Sequence, residues 1–313
     1  PTGAMKIEQP RVYFGELSPS YSIVGGTGPA RELDYPDDKS ANGQASNTYT
    51  GSGGVPIGSL ISRIAYAIHY RDTNILLSNQ ITAGSRILYD RDPATRVKKL
   101  APWLTLDSDP YPVVVDGRIL WMVDGYTTSN NYPYSARVSL RDATADSVNT
   151  QDAVTQLSSG DITYIRNAVK ATVDAYDGTV TLYAWEDTDP VLKAWMKAFP
   201  GVVKPKSAMP SGVLSHVRYP EDMFKVQRNV LAKYHVSDPQ AFYSGQDFWI
   251  VPDDPTKPAL KQAQPPYFLT LRMPDQKEPS FQLTTAYAPS KRQTLAAFMA
   301  ANSDPGEDYG TIR

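Results

Sequence analysis

The chain has 313 residues, of which 20% are charged and 41% hydrophobic, and its formal net charge is −2. This balance is typical of a folded globular protein, and the absence of a basic stripe argues against nucleic acid as a partner. Cysteine is absent, which excludes thiol catalysis, disulfides and iron–sulfur clusters. No run of about 18 apolar residues occurs, so no membrane-spanning helix is predicted within the sequence.

The first predicted elements are a short hairpin and a helix. Arg11–Phe14 and Tyr21–Val24 are β-prone runs separated by a Ser-Pro-Ser turn. Pro56 stands at a favourable first position for a helix. The apolar stripe expected to face the core of that helix follows helical spacing and consists of Ile57, Leu60, Ile61, Ile64 and Ile68.

Two more helices and a hairpin follow. A helix is predicted from Asn79 to Leu88, and another from Asp92 to just before Pro102, because proline disfavours helix in the residue that precedes it. The runs Val113–Val115 and Ile119–Val123 flank an Asp-Gly dipeptide, which predicts a hairpin with a type I′ turn. The second strand is apolar on both faces and is expected to be central and covered.

A second Asp-Gly hairpin is predicted from alternation between 165–175 and 180–184. We expect this ribbon to be buried on one side only. The face of its first strand that is expected to contact water carries Arg166, Lys170, Thr172 and Asp174.

The last predicted elements are helices that begin at Asp189 and Pro220, strands over Tyr267–Arg272 and Phe281–Thr285, and a final helix over Ser290–Ala301. Strands and helices mix without regular βαβ alternation. The predicted class is α+β, with antiparallel hairpins packed against several amphipathic helices.

The predicted domain organisation divides the chain in two. Residues 1–5 are expected to be vector-derived, and the abrupt ends suggest a piece of a longer protein. We predict an N-terminal lobe over 6–140, a surface loop over 141–160, where no hydrophobic period is sustained, and a C-terminal lobe over 161–313. The alternative is one continuous domain, truncated at both ends.

Two Gly-rich segments imitate ligand loops. Asp38–Gly43 is similar to the start of a calcium loop, but the twelfth position, which needs a bidentate carboxylate, is Tyr49. Gly51–Gly54 precedes a predicted helix, where free backbone N–H groups can hold an anion, but no Lys-Ser or Lys-Thr pair follows. Both segments are better explained as ordinary loops, and no cofactor is predicted.

Histidines and carboxylates form no catalytic pattern. His69, His216 and His235 are far apart and lack neighbours at metal-ligand spacing, so no metal site is predicted. The Gly-x-Ser-x-Gly motif of serine hydrolases is absent. Carboxylates are frequent between 90 and 124, but glycoside hydrolysis needs two of them facing across a cleft, which a sequence cannot show. No catalytic residue is assigned.

An aromatic loop after the first Asp-Gly hairpin remains open for binding. Tyrosine rings and amide groups suit sugars or peptide backbone through stacking and hydrogen bonds. The alternative is a proline-fixed loop whose rings cap the sheet. The candidate surface, which adds one arginine from an earlier segment, consists of Tyr126, Asn130, Asn131, Tyr132, Tyr134 and Arg86.

Several segments resemble, in the same order, the uncharacterised protein family UPF0182. They are RVYFGE at 11–16, LLSNQIT at 76–82, DPYPVVVDGRILWMVDGYTTSNNYPYS at 109–135, VDAYDG at 173–178 and RYPED at 218–222. The resemblance begins at about Lys6 and implies a multi-pass bacterial membrane protein whose N-terminal membrane helices precede a large extracytoplasmic domain. This chain would be part of that domain. The resemblance implies no catalytic residues.

The leading functional hypothesis is a non-enzymatic extracytoplasmic domain with an interaction or envelope-assembly role. Its partners would be the protein's own transmembrane helices and envelope components. One alternative is an enzyme acting on envelope glycans or lipids, with Asp and Arg residues of 86–124 in its cleft. Another is a ligand-capture domain serving the membrane portion. An apolar surface patch would favour the assembly role. A closed pocket would favour ligand capture, and two carboxylates facing each other in a cleft would favour an enzyme.

Overall fold

The computed structural model describes residues 6–29, 32–40, 43–148, 160–290, 292 and 294–313. The fold is α+β, as predicted. The strands are β1 (Tyr21–Gly25), β2 (Glu32–Pro36), β3 (Gln44–Asn47), β4 (Val55–Pro56), β5 (Ser85–Tyr89), β6 (Thr105–Leu106), β7 (Tyr111–Val115), β8 (Arg118–Ser129), β9 (Val138–Ser139), β10 (Asp161–Ile162), β11 (Tyr164–Asp174), β12 (Val180–Ala184), β13 (Val203–Pro205), β14 (Trp249–Ile250), β15 (Tyr267–Leu271), β16 (Ser280–Pro289) and β17 (Ala297–Asn302).

The α-helices in the same residues are α1 (Leu60–Tyr70), α2 (Asn74–Leu77), α3 (Pro93–Leu100), α4 (Leu140–Thr144), α5 (Pro190–Ala198), α6 (Ser211–Leu214), α7 (Glu221–Tyr234) and α8 (Pro239–Ser244). A short 3₁₀ helix covers Lys206–Ala208. Over the ranges that the structure describes, none of these helices has the length and apolar character needed to span a bilayer.

The central sheet has the strand order β13-β12-β11-β8-β6, and β7 also pairs with β8. The long strands β8 and β11 are antiparallel neighbours in its middle. Their side chains form the largest core cluster together with Val97 of α3 and Leu192 of α5. Because β8 lies within 6–140 and β11 within 161–313, a single sheet joins residues of both predicted lobes.

Both predicted Asp-Gly hairpins are confirmed. Asp116 (φ 48°) and Gly117 (φ 75°) both adopt positive φ between β7 and β8, as a type I′ turn requires. In the second hairpin β11 pairs with β12, but the face of β11 that was expected to contact water does so only at its ends, at Arg166 and partly at Asp174. Lys170 and Thr172 are buried, because β11 lies between two strands in a sheet that is covered on both faces.

A second sheet has the order β14-β16-β15, with β17 also paired to β16. It confirms the strands predicted at Tyr267–Arg272 and Phe281–Thr285. The helix predicted over Ser290–Ala301, in which residues 291 and 293 are not described, is wrong. Its second half is strand β17, antiparallel to β16. Pairing with a central strand outweighs the helix propensity of its alanines.

Three predictions in the N-terminal part are also wrong. Strand β1 pairs with β5 and not with Arg11–Phe14. Strand β5 occupies most of the helix predicted over Asn79–Leu88, and the short α2 precedes it. The first helix begins at Leu60 rather than Pro56, since β4 pairs with β5 and the Ser59 side chain caps the helix by accepting from a backbone N–H.

The helices predicted to begin at Asp92, Asp189 and Pro220 are confirmed as α3, α5 and α7. At the start of α3 and of α5, an aspartate side chain accepts a hydrogen bond from a backbone N–H of the first turn, and a proline follows the aspartate. This is the arrangement that an Asp-Pro pair favours at a helix start.

The described part of 141–160 does not form the predicted surface loop. Helix α4 buries Leu140 and Ala143 because it packs against α7. The Asp146 side chain that follows is buried as well. Residues 149–159 lie outside the described residues, so the prediction is untested there.

Candidate functional site

The predicted binding loop is exposed, as a contact surface requires. Asn130, Asn131, Tyr132 and Tyr134 all lie on the surface after the end of β8. The Tyr132 ring stacks on Tyr164, with the ring centroids 5.9 Å apart. Binding by this loop stays a prediction.

Arg86 does not belong to that loop. It lies on β5, in a different sheet, and donates hydrogen bonds to three backbone carbonyl oxygens. Nε contacts Gly53 at 2.7 Å, and Nη2 contacts Gly54 at 2.7 Å and Ser52 at 3.0 Å. Arg86 therefore holds the Gly-rich loop in place, and it is not brought together with the tyrosines.

Tyr126 is only 1% exposed, so its assignment to a surface is wrong. Its phenol donates a hydrogen bond to the carboxylate of Asp107 and accepts one from the backbone N–H of Met223 at 3.2 Å. The ring belongs to a core cluster between β8, α7 and the second sheet. Burial raises the pKa of Tyr126 well above its usual value.

We expect Tyr126→Phe to lower the free energy of unfolding by about 1.5–3 kcal/mol, the range for a hydrogen bond to a charged group. The variant also leaves the Met223 N–H without its acceptor. Urea unfolding of both proteins measures the change. The matched control is Tyr132→Phe, which removes an exposed hydroxyl from the same segment and should stay within about 0.5 kcal/mol. Equal effects of the two variants would contradict the buried role of Tyr126.

Next to Tyr126, ionisable side chains surround a buried lysine; we call Lys225, Asp146, Glu221, Asp222 and Asp107 the Lys225 cluster. The Lys225 Nζ atom lies 2.7 Å from Asp146 Oδ2, 2.8 Å from Glu221 Oε1 and 3.7 Å from Asp222 Oδ1. Burial alone would lower the pKa of Lys225, but the neighbouring carboxylates outweigh burial and raise it. The lysine is therefore charged.

The carboxyl group of Asp222 in this cluster has a raised pKa. Burial, and then the neighbouring Asp107, raise the pKa of Asp222 to about 8, against the opposing effect of Lys225. Asp222 Oδ2 accepts from the Ser108 N–H at 2.8 Å, and the Asp222 N–H donates to Asp107 Oδ2 at 3.0 Å. Burial therefore favours the protonated form of the Asp222 carboxyl group more than water would.

A second buried pair joins the two long strands of the central sheet. Lys170 Nζ lies 2.5 Å from Asp124 Oδ1 and donates to the Arg218 carbonyl oxygen at 2.9 Å. Asn167 donates to the same Asp124 carboxylate at 2.9 Å. Burial raises the pKa of Asp124, and Lys170 opposes this rise.

Carboxyl groups with raised pKa values indicate catalysis when they line a cleft. Five clefts on the described surface are lined by other residues. The Lys225 cluster and the Asp124–Lys170 pair instead connect α7, β8, β11 and the segment after α4, so we assign them to structure. Within the described ranges, no three His, Cys, Asp or Glu side chains are grouped so that they could hold a metal ion.

The sequence interpretation missed Lys170 as a buried residue, although a signal was present. Lys170 is flanked by Ala168-Val169 and by Ala171-Thr172-Val173. Such a nearly continuous apolar run is typical of a strand that is covered on both faces, and it should have outweighed the alternation.

The part of the predicted apolar stripe that lies on α1 points outward, contrary to the prediction, whereas Ile57, which precedes the helix, is buried as predicted. The exposed side chains, which we call the α1 stripe, are Leu60 (65%), Ile61 (81%), Ile64 (41%) and Ile68 (73%). The opposite face packs Tyr66, Ala67 and Tyr70 against a core of isoleucines. Hydrophobic periodicity identified the stripe correctly but assigned it to the wrong side.

Polar and aromatic contacts on the inner face determine this orientation. Arg63 donates from Nη1 to the Ser78 carbonyl oxygen at 3.5 Å and from Nη2 to that of Ile81. The Tyr70 ring lies 4.4 Å from the Tyr21 ring, centroid to centroid. Turning the helix to bury the α1 stripe would break these contacts.

Comparison with known proteins adds relatives but no function. The sequence model of a family described as uncharacterised protein family (UPF0182) matches residues 1–313. A UPF0182 protein of Kineococcus radiotolerans is 55% identical, covering 100% of this chain and 32% of the relative. Relatives from Frankia casuarinae (53%) and Streptomyces coelicolor (51%) each cover 98% of this chain and 30% of their own length.

The chain spans about a third of the length of these actinobacterial relatives. No solved structure matches it. The family model matches the full length of the chain, and these relatives are more than 50% identical to it. The chain therefore belongs to the uncharacterised protein family UPF0182.

Proposed function

We propose that this chain is a non-enzymatic extracytoplasmic domain of a longer multi-pass membrane protein, with an assembly role in the cell envelope. The α1 stripe is the observation that carries the proposal. Leu60, Ile61 and Ile68 are each more than half exposed and share one side of a helix whose other side is anchored. Adjacent apolar side chains that are exposed on one face of an anchored helix form a small candidate contact surface.

The partner proposed for the α1 stripe is the membrane portion of the same polypeptide. A helix of 11 residues is about 16 Å long and about 10 Å wide, so one face covers on the order of 160 Å². A stable complex of separate molecules buries roughly 800 Å² per partner. A tethered partner needs less area because its effective concentration is high, and the relatives are about three times as long as this chain.

Two further observations support the non-enzymatic and the extracytoplasmic parts of the proposal. The carboxyl groups of Asp222 and Asp124, whose pKa values burial raises, are committed to bonds between core elements, which favours a structural role over an acid–base one. The absence of cysteine is compatible with an exposed cell-surface location, and the family resemblance implies such a location.

Cysteine labelling tests this proposal, because the chain has no native cysteine. We expect the thiol of Ile61→Cys to react quickly with a maleimide in the 313-residue chain. In the full-length membrane protein, from which any other cysteines have been removed, we expect the same thiol to react about tenfold or more slowly, because the membrane portion covers it.

The control is Tyr243→Cys, on an exposed residue of α8, which should react equally in both proteins. If Ile61→Cys also reacted equally in both, the α1 stripe would not be an assembly surface. A membrane-impermeant maleimide applied to protoplasts tests location separately. Labelling of Tyr243→Cys only after lysis would show that the domain is not extracytoplasmic.

A further inference from the structure

A large cleft lies beside the sheet β1-β5-β4. Unlike the apolar α1 stripe, it is lined partly by charged side chains. Its volume is about 1010 Å³, at the upper end of the roughly 300–1,000 Å³ typical of ligand sites. Strands β1 and β2, the segment before β1 and the segment around α2 form its walls. The described residues that matter here are Arg11, Tyr13, Glu32, Ile75, Ile81 and Arg91.

Arg91 is a buried cation in this cleft without an acidic partner. Its side chain is 8% exposed, and Nε donates to the Tyr13 carbonyl oxygen at 2.7 Å. Neither Nη1 nor Nη2 forms a hydrogen bond or ion pair with any residue that the structure describes. Burial lowers the pKa of Arg91. Because Arg91 lines the cleft and neither Nη atom is enclosed among the fully buried, unpartnered atoms, an anion in the cleft can pair with Nη1 and Nη2.

The other charged groups described in the cleft already have partners. Arg11 donates to Asp34 Oδ2 from Nε at 2.9 Å and from Nη2 at 2.6 Å. Glu32 accepts from the N–H groups of Gly25 at 2.7 Å and Tyr49 at 2.9 Å, and also from a tyrosine hydroxyl. Both carboxylates are therefore occupied, which leaves the Arg91 guanidinium to interact with a ligand.

We propose that this cleft binds a small organic molecule that carries an oxyanion, and that Arg91 holds the oxyanion through Nη1 and Nη2. The planar fork of a guanidinium matches two oxygens of a carboxylate or phosphate. The buried side chains of Ile75 and Ile81 provide an apolar wall for the remainder of the ligand. This binding site is independent of the α1 stripe, so either proposal can fail alone.

The test is an NMR titration of the 313-residue chain with inorganic phosphate and, separately, with succinate, both at constant ionic strength. We expect saturable shifts of the Arg91 side-chain Nε–H resonance and of the backbone resonances of β1. Tighter binding of phosphate would assign a phosphorylated ligand, and tighter binding of succinate a carboxylate. Absence of saturable shifts with both anions would overturn the proposal, whatever the variants show.

Variants then test the role of Arg91 itself. We expect Arg91→Gln to weaken binding of the preferred anion by about tenfold or more, because charge and fork are both lost. Arg91→Lys keeps the charge and should give an intermediate loss. The exposed Arg166→Gln controls for nonspecific attraction of anions and should bind as the unmodified chain does. Unchanged affinity in a folded Arg91→Gln or Arg91→Lys would overturn the assignment.

Discussion

Replacement of Lys170 by methionine is expected to lower the free energy of unfolding by about 3–5 kcal/mol, the usual cost of breaking a buried ion pair by removing one partner. Lys170 Nζ lies 2.5 Å from Asp124 Oδ1, and both side chains are buried. Methionine preserves most of the side-chain volume, so the loss arises from the uncompensated carboxylate and not from a cavity. Urea unfolding at neutral pH measures it.

The pH dependence of this loss identifies its cause. Burial raises the pKa of Asp124, and Lys170 opposes that rise; without the lysine the folded-state pKa rises further. A carboxyl group whose folded pKa exceeds its unfolded value of about 3.9 binds more protons in the folded state, so its contribution to stability falls as pH rises. We therefore expect the loss in Lys170→Met to grow with pH and to be smallest in acid.

Two further variants test whether breaking the buried ion pair causes the loss of stability. Lys99→Met is the matched control, because Lys99 lies 2.6 Å from Asp90 but is largely exposed, and exposed pairs contribute about 0–1 kcal/mol. The double variant Lys170→Met/Asp124→Leu removes both charges and should recover most of the loss. If Lys170→Met cost no more than Lys99→Met, or if the double variant were the least stable, the buried pair would not have the role assigned to it.

Local signals in the sequence predicted the elements whose cause is local. An Asp-Gly dipeptide between β-prone runs determines a type I′ turn within two residues, and Asp116-Gly117 adopts that turn. Asp-Pro pairs cap and start a helix within one turn, and α3 and α5 begin at such pairs. These parts of the fold needed no knowledge of distant contacts.

The wrong predictions depend on contacts between residues far apart in the chain. The alanines of Ala297–Asn302 favour helix, but this segment is a strand because it pairs with β16. The burial of Lys170 requires Asp124 on a neighbouring strand. Periodicity located the α1 stripe but cannot say which face of a helix meets the core when the opposite face carries tyrosines.

In the candidate site, too, one feature has a local cause and another depends on distant contacts. The exposure of the loop at Tyr132 and Tyr134 follows from its polar, proline-containing sequence. The burial of Tyr126 does not, since it depends on α7 packing over β8. Arg91 stands between Asp90 and Asp92 in the sequence, and only the structure shows that its guanidinium has no acidic hydrogen-bond partner among the described residues.

Asp222→Asn is expected to change how stability depends on pH. In the unmodified chain, burial and the neighbouring Asp107 raise the folded-state pKa of Asp222 to about 8, whereas the unfolded value is about 3.9. Between these values the folded state binds one more proton than the unfolded state. The contribution of Asp222 to the free energy of unfolding therefore falls by about 1.4 kcal/mol per pH unit over this window.

Asparagine has the shape of the protonated acid but does not titrate. We expect the stability of Asp222→Asn minus that of the unmodified chain to increase steadily from about pH 5 to about pH 8 and to level off above it. Urea unfolding at intervals of one pH unit measures the difference. The exposed Asp187→Asn is the control and should give a difference without this slope.

The result also bears on the charge of the whole Lys225 cluster. The carboxyl groups of Asp146, Glu221 and Asp222 lie 2.7–3.7 Å from Lys225 Nζ, and Asp107 contacts Asp222. The buried Arg228 interacts with the first three, so full ionisation would set four carboxylates against two cations. Retaining a proton on Asp222 is the least costly way to reduce that charge, because burial disfavours the ionised form. A difference that did not change with pH would mean that Asp222 is ionised in the folded protein and that the cluster carries the additional negative charge.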